Sequence, residues 1–330
     1  MGTIGKGIKY YGRKTEVNLL NCLNLLPAKP IDCVVDCCFG SGNFTRIVGA
    51  HLGCGRVIGY EKEKALYILH CQIRDNPELL LEAIGKMPQK KDVFEKCKSI
   101  VMATNKGAQD FSDLAVAVAE NYIIYNSHNN DRRTMRNMEA YKKYNEMYSR
   151  LHSQQEIKRI CNGYYKQHTD IYGMSQVWKG IELKNGDFRE DLEIFLKNEA
   201  SFLYMDLPYL FKKRGRENNQ ERKGSEYFED WKEEDHLELI ERLKHERKAK
   251  IMICSNFEID EQGEVIGLAT DPYSDLLQNG WKMFVTESKH SSRIISKNGQ
   301  VRKRKAEVVY INYEPIHADV YYKVYDVSDL

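Results

Sequence analysis

Four carboxylates stand where short strands should end, and they set the chemistry the chain can support. Asp206 follows the apolar run FLYM and precedes Leu207, Pro208 and Tyr209. A carboxylate beside a backbone carbonyl offers two acceptors for the hydrogens of an amine. Pro208 shapes the turn, and Tyr209 offers a face on which a planar base can stack. Asp36 ends the strand around Val34 and Val35 and leads into CCFGSGNF, where Gly40, Ser41 and Gly42 predict a tight turn into a helix starting near Asn43. Glycines there allow positive φ and close approach of a ligand to the backbone, and a helix N-terminus offers N–H groups to a carboxylate or phosphate. Glu61 ends RVIGY about 20 residues beyond that turn, the position from which an acid accepts hydrogen bonds from a ribose. Asp187 lies at another strand-to-helix transition, placed to bond an adenine amino group while Phe188 covers the ring.

The turn is not a phosphate-binding P-loop, since no Gly-Lys-Ser/Thr follows, and it lacks the third glycine of a dinucleotide fingerprint. NAD, FAD and S-adenosylmethionine all satisfy the pattern at this level. A chance surface glutamate at 61 and a strand-end acid at 206 that merely caps the next turn are the plain alternatives.

These side chains need a framework that carries strand ends to one edge, as an open α/β sheet does. The runs VV, RVIGY, FLYM and IMICSNF predict buried strands, and EDWKEEDHLELIERLKHERKAK predicts a charged amphipathic helix. The tail alternates WKMFVTE, SRIISKN and AEVVYINY, with Asn298-Gly299 predicting a hairpin between the last two. Near the start, Val17, Leu20, Leu23 and Leu26 predict a helix closed by Pro27. The arm before it, with Tyr10, Tyr11 and Lys14, either frays or folds over a bound cofactor.

From about Cys71 to Gly180 the strand-helix rhythm stops, and the segment is predicted to be mostly helical and polar. Between Asn121 and Gly180 ten Lys or Arg face five Asp or Glu, with tyrosines interleaved. That surplus suits phosphate contacts, with aromatic and amide groups left for base edges. The alternative is a solvated helical insertion whose tyrosines pack a small core of their own. The loop FKKRGRENNQERKG, with Lys212, Lys213 and Arg214, is basic enough to clamp a polyanion.

Over the whole chain 50 basic residues nearly balance 48 acidic ones, so any nucleic-acid face must come from local segregation. Nine cysteines without CxxC pairs argue against zinc and against a secreted disulfide scaffold. No apolar run approaches the roughly 20 residues of a membrane span, and the N-terminus lacks a signal-peptide core. The expectation is a cytoplasmic protein without membrane or metal partners.

In order along the chain, these motifs resemble the Dam-like DNA adenine methyltransferases. KYYGRK at 9–14 is similar to the family's Lys-Trp-Ala-Gly-Gly-Lys, DCCFGSGNF at 36–44 to its Glu-Pro-Phe-x-Gly-x-Gly turn, and DLPY at 206–209 to its Asp-Pro-Pro-Tyr. Glu61 matches the acid after the second strand, Asp187-Phe188 the pair that holds the cofactor's adenine, and SNF at 255–257 and the tail EVVYINYEP also look familiar. The region 71–180 matches only in position and helical character. Cys37 and Cys38 stand where the family has proline and phenylalanine, and Arg13 replaces a glycine. Leu207 replaces the first proline, keeping the carbonyl but not the fixed φ.

The resemblance implies a Rossmann-like methyltransferase sheet, mostly parallel with an antiparallel C-terminal hairpin, plus an inserted, mainly helical target-recognition domain. Residues 1–70 and 181–330 would form the catalytic domain and 71–180 the insertion. It implies S-adenosyl-L-methionine as cofactor, held by Tyr10, Tyr11, Lys14, Asp36, Cys37, Phe39, Gly40, Ser41, Gly42, Asn43, Phe44, Glu61, Lys62, Asp187, Phe188 and Asp206. Catalysis would fall to Asp206, Leu207, Pro208 and Tyr209. Double-stranded DNA would be held by Lys14, Asn126, Asn129, Arg132, Arg133, Arg136, Lys212, Lys213 and Arg214. The implied reaction is methylation of a flipped-out adenine at N6, in a solitary enzyme or beside a cognate restriction endonuclease. Cytosine-N4 or RNA adenine as the target, and a catalytically impaired DNA-binding homologue, are the competing expectations.

Overall fold

The computed structural model describes residues 8, 14, 19, 22–28, 30–49, 53–88, 90–127, 132, 135, 171–208, 231–245, 248–259, 265–266, 268, 271–287, 304–316, 323–326 and 328. Tyr10, Tyr11, Tyr209, Asn129, Arg133, Arg136, the loop with Lys212, Lys213 and Arg214, and the Asn298-Gly299 turn lie outside the described residues.

Short β-rich runs of the chain form strands β1 (Cys33–Asp36), β2 (Arg56–Glu61), β3 (Glu182–Asn185), β4 (Ser201–Met205), β5 (Lys250–Ile259), β6 (Val265–Ile266), β7 (Lys282–Glu287), β8 (Arg304–Ile311) and β9 (Lys323–Tyr325). They make one sheet in the order β3-β2-β1-β4-β5-β8-β7-β9, with β6 added to β5. Neighbours from β3 through β5 are parallel, whereas β8 runs antiparallel to both β5 and β7. The architecture is therefore α/β with a mixed sheet, compatible with a Rossmann-like fold.

Side chains alternate across a strand, and the buried residues divide accordingly. Val35, Leu203, Met205, Ile251 and Ile253 share a core with Leu239, Ile240 and Leu243. Val34, Phe202, Tyr204, Met252 and Cys254 share another with Leu19, Leu25 and Phe44. β1 and β4 are buried along their whole length, as strands covered on both faces should be.

The helix that supplies Leu239, Ile240 and Leu243 spans Glu233–Lys244, with Glu233, Glu234 and Asp235 in its first turn and Arg242 and Lys244 in its last. Both ends complement the helix dipole. The Asp235 carboxylate also accepts the Lys232 backbone N–H at 2.9 Å, closing the N-terminus.

After β2 come α1 (Lys64–Asp75), α2 (Pro77–Gly85), α3 (Lys91–Asn105) and α4 (Asp113–Asn126), and a further helical stretch covers 171–178. The predicted switch at Cys71 falls inside α1. Within this region α4 departs from the expected polarity: it is buried from Val116 through Ile124, Glu120 and Asn121 included. Its core is common with α1 and reaches Phe39, Trp178, Ile181 and Leu183, so the described helices of 71–180 extend the flank of the sheet.

Of the predicted N-terminal helix, residues 22–24 are helical, and Pro27 forms a bridge with Pro315. Val17 and Leu20 lie outside the described residues. The antiparallel tail pairs WKMFVTE directly with AEVVYINY, and β9, which no sequence pattern suggested, pairs with β7. Among the described residues no helix is long and apolar enough to cross a membrane.

Candidate functional site

The ends of β1, β2 and β4 form one edge, because β1 pairs in parallel with both neighbours, Asp36 standing opposite Gly59 and Tyr204. Beyond Asp36 the chain is tied to both sides: the Cys37 N–H donates to the Tyr204 carbonyl at 2.9 Å and the Phe39 N–H to the Tyr60 carbonyl at 2.8 Å. Gly40 and Gly42 adopt φ of 47° and 66°, the left-handed region that favours glycine. The predicted helix near Asn43 is a short turn that widens over Thr45–Gly49 into a π-helical ring pattern.

Gly42 serves packing as well as turning. A Cβ there would lie 2.6 Å from Trp178 and 2.9 Å from Phe39, and one at Gly59 would lie 2.4 Å from Phe39. Phe39 meets His70 edge-on at 4.8 Å between ring centroids and Trp178 at 5.6 Å. Phe44 stacks on Tyr204 at 3.5 Å. Phe39 and Phe44, two of the three phenylalanines predicted to touch a cofactor, are thus core residues. His70 binds the turn directly: Trp178 Nε1 donates to His70 Nδ1 at 3.0 Å, which leaves Nε2 to donate to the Gly40 carbonyl at 2.8 Å. Burial pushes that imidazole down to about 4, keeping it neutral.

Four carboxylates surround the turn. Asp36 accepts the Thr45 hydroxyl at 2.8 Å, and the Cys38 backbone N–H also lies toward its carboxylate, while the buried Oδ1 has no partner at full bonding geometry among the described residues. Burial raises its carboxyl to about 7. Glu61 accepts the Gly40 N–H at 3.0 Å and the Glu63 N–H at 2.9 Å, and burial, then nearby Glu63, raise it to about 8. At Asp187 burial pushes upward but is outweighed by the Arg189 guanidinium, its backbone N–H and Lys62, so this carboxyl is held below the usual range. Lys62 Nζ lies 3.3 Å from Asp187 and Arg189 Nη2 lies 2.7 Å from it.

The half-buried Cys38 thiol senses Asp36, Glu61, Asp206 and Asp187 together, and burial, followed by these acids, pushes it up. It stays protonated. Cys37 is buried in the core, and the Ser41 hydroxyl accepts the Asn43 N–H at 3.3 Å.

Asp206 emerges at the end of β4, with Lys14 Nζ 3.2 Å from its Oδ1. Lys14 also pairs with Glu307 on β8, and its carbonyl accepts Asn43 Nδ2 at 3.3 Å. Lys14 therefore touches the glycine turn and Asp206 at once. Leu207 is buried in the main core and Pro208 is half-buried. Phe188 is buried too, stacked almost parallel on Trp231 at 6.0 Å, with Arg189 on that indole at 4.8 Å.

The described DNA candidates of the insertion have other work. Arg132, at φ 61°, places its guanidinium 2.6 Å from Glu63 and 2.8 Å from Glu120 and is buried. Asn126 is buried and donates to the Tyr122 carbonyl at 2.9 Å. The expectation of phosphate contacts from these two gives way to structural roles, because buried charges and amides are held by partners.

Sequence reasoning missed Thr45, His70, Trp178, Arg189, Trp231 and Glu307. Only Arg189, two residues beyond Asp187, had a local signal. Among the described residues no three His, Cys, Asp or Glu form a group that could hold a metal ion. What the edge offers is a cluster of carboxylates, Asp36, Glu61, Asp187 and Asp206, around Cys38, a charge suited to a cationic ligand that also carries hydroxyls. Compared with models of known protein families and with curated protein sequences, the chain matches none.

Proposed function

We propose that the protein transfers a methyl group from S-adenosylmethionine to the exocyclic N6 of an adenine in duplex DNA, as a site-specific methyltransferase with residues 71–180 serving target recognition. The observation that carries this reading is the meeting, at one sheet edge, of the glycine turn after Asp36 and the Asp206-Leu207-Pro208 segment, joined through Lys14. The residues present fit the cofactor: a sulfonium and an ammonium suit the carboxylates around Cys38, and the buried Asp36 Oδ1, short of a full hydrogen bond, has acceptor capacity left. Glu61 would hold ribose hydroxyls beside the two backbone N–H groups it already accepts, and Asp187 would hold the adenine amine.

When bound, S-adenosylmethionine supplies an electrophilic methyl group on sulfur. The target amine is a weak nucleophile because its lone pair is delocalised into the purine. Asp206 and the Leu207 carbonyl accept its two hydrogens, draw the nitrogen toward tetrahedral geometry and hold it in line. With the cofactor bound, Asp206 would accept the N–H proton that the amine gives up as it takes the methyl group, and would pass it on to water. Leu207 contributes only its carbonyl, since its side chain lies in the core. Positioning of this kind supplies much of a rate enhancement. The base must leave the stack first, at a cost of a few kcal/mol that stacking and phosphate contacts offset.

Incubation with duplex DNA and methyl-labelled S-adenosylmethionine, followed by digestion to nucleosides, tests the proposal. Label in N6-methyladenine is expected. Label confined to N4-methylcytosine, or none in any duplex despite cofactor binding, would overturn it.

A further inference from the structure

Leu207 stands where the resembled motif has a proline, whose ring would fix φ between Asp206 and Pro208, and the packing under this segment offers another restraint. The candidate lies beneath it. His236, on the helix Glu233–Lys244, is buried with Nδ1 2.7 Å from the Tyr273 hydroxyl. Its ring packs edge-on against Trp231 at 5.1 Å and Tyr273 at 5.8 Å. Nε2 is buried with no hydrogen-bond partner at bonding geometry among the described residues, and the backbone carbonyl of Pro208 is the acceptor close by.

The protonation pattern follows from the neighbours. Burial pushes the imidazole down to about 4, so one ring nitrogen carries hydrogen and the other does not. Burial also raises the Tyr273 phenol well above its ordinary value, so it keeps its proton. If the phenol donates to Nδ1, the ring hydrogen sits on Nε2 and faces a carbonyl. The opposite tautomer would set two acceptors against each other in a buried site, which is the costly arrangement. Tyr273 is itself confined between His236 and Tyr310, whose hydroxyl donates to Asp271 at 2.8 Å. Leu207 is held from the same side, its side chain sharing the core of Leu239, Ile240 and Tyr273.

We propose that His236 is a positioning residue for the Asp206–Pro208 segment: oriented by Tyr273, it donates from Nε2 to the Pro208 carbonyl and, with the buried Leu207 side chain, replaces the restraint of the absent proline. The buried orphan is then a bond that a small shift of the Pro208 carbonyl completes. The kinetic part of this inference rests on the methyltransferase reading; the restraint itself does not.

Hydrogen exchange on the intact protein, read at Met205 and Asp206, tests the restraint without turnover. His236→Phe and Tyr273→Phe are each expected to raise exchange there by roughly tenfold, the ratio given by one net hydrogen bond. In methyl transfer, both single variants should lower kcat by roughly 10- to 100-fold, with the KM for duplex and the affinity for a cofactor analogue unchanged. Tyr273→Phe removes only a hydroxyl and serves should His236→Phe fail to fold. Unchanged exchange in Tyr273→Phe overturns the inference. A wild-type protein that transfers no methyl overturns the function instead and leaves the exchange result standing.

Discussion

Asp206 keeps company that decides what its removal does. Lys14 also pairs with Glu307, so Asp206→Ala leaves the lysine compensated and the arm in place. Expected is loss of methyl transfer with cofactor affinity within a few-fold of wild type, measured by isothermal titration; a fully active variant would remove Asp206 from the mechanism. Asp36 and Glu61 make the site pH-sensitive. Their carboxyls, raised to about 7 and about 8, hold protons in the folded chain that the unfolded chain releases at ordinary carboxylate values. The resulting stabilisation is fully present below the unfolded values and is lost as pH rises through the folded ones. The melting temperature of the free protein should therefore fall between pH 5 and about 8, and Asp36→Asn should flatten that slope. A cationic ligand favours the ionised acids, so its affinity should rise over the same interval. The four acids were legible because each closes a strand-like run. The fate of Phe39, Phe44 and Arg132 was not: their partners, Trp178 for one and Glu63 for another, lie far along the chain.

At the scale of elements, the stretch 171–178 is bonded to the glycine turn through Trp178, His70 and the Gly40 carbonyl. Trp178→Phe should cost about 1 kcal/mol, one net hydrogen bond, in chemical denaturation. Gly42→Ala should cost about 2 kcal/mol or more, because it adds a Cβ against Trp178 at a φ of 66°. A neutral result for Gly42→Ala would show that the indole yields freely. Strand positions followed from apolar runs, and the charged helix Glu233–Lys244 from its spacing. The widened turn after Asn43 and the pairing partner of β7 did not, since backbone ring size and long-range register leave no periodic trace in sequence.

Across the molecule, the helices of 71–126 meet the sheet in one apolar core, which holds Trp178 and reaches Ile181 and Leu183, while Trp281 lies in a second core built on the sheet. Unfolding is expected as a single cooperative transition in which tryptophan fluorescence and far-ultraviolet circular dichroism coincide. Two separated transitions would mark the insertion as an independent folding unit. The position of β8 carries a further consequence. It lies between β5 and β7, matched to β5 from Met252–Ile311 through Ile259–Arg304. A nascent chain released before Arg304 would carry the long inner strand β5 with one flank bare, a template for pairing with its own copies. Premature termination there should yield insoluble protein rather than a shortened, folded one, and quality control during synthesis would bear that load.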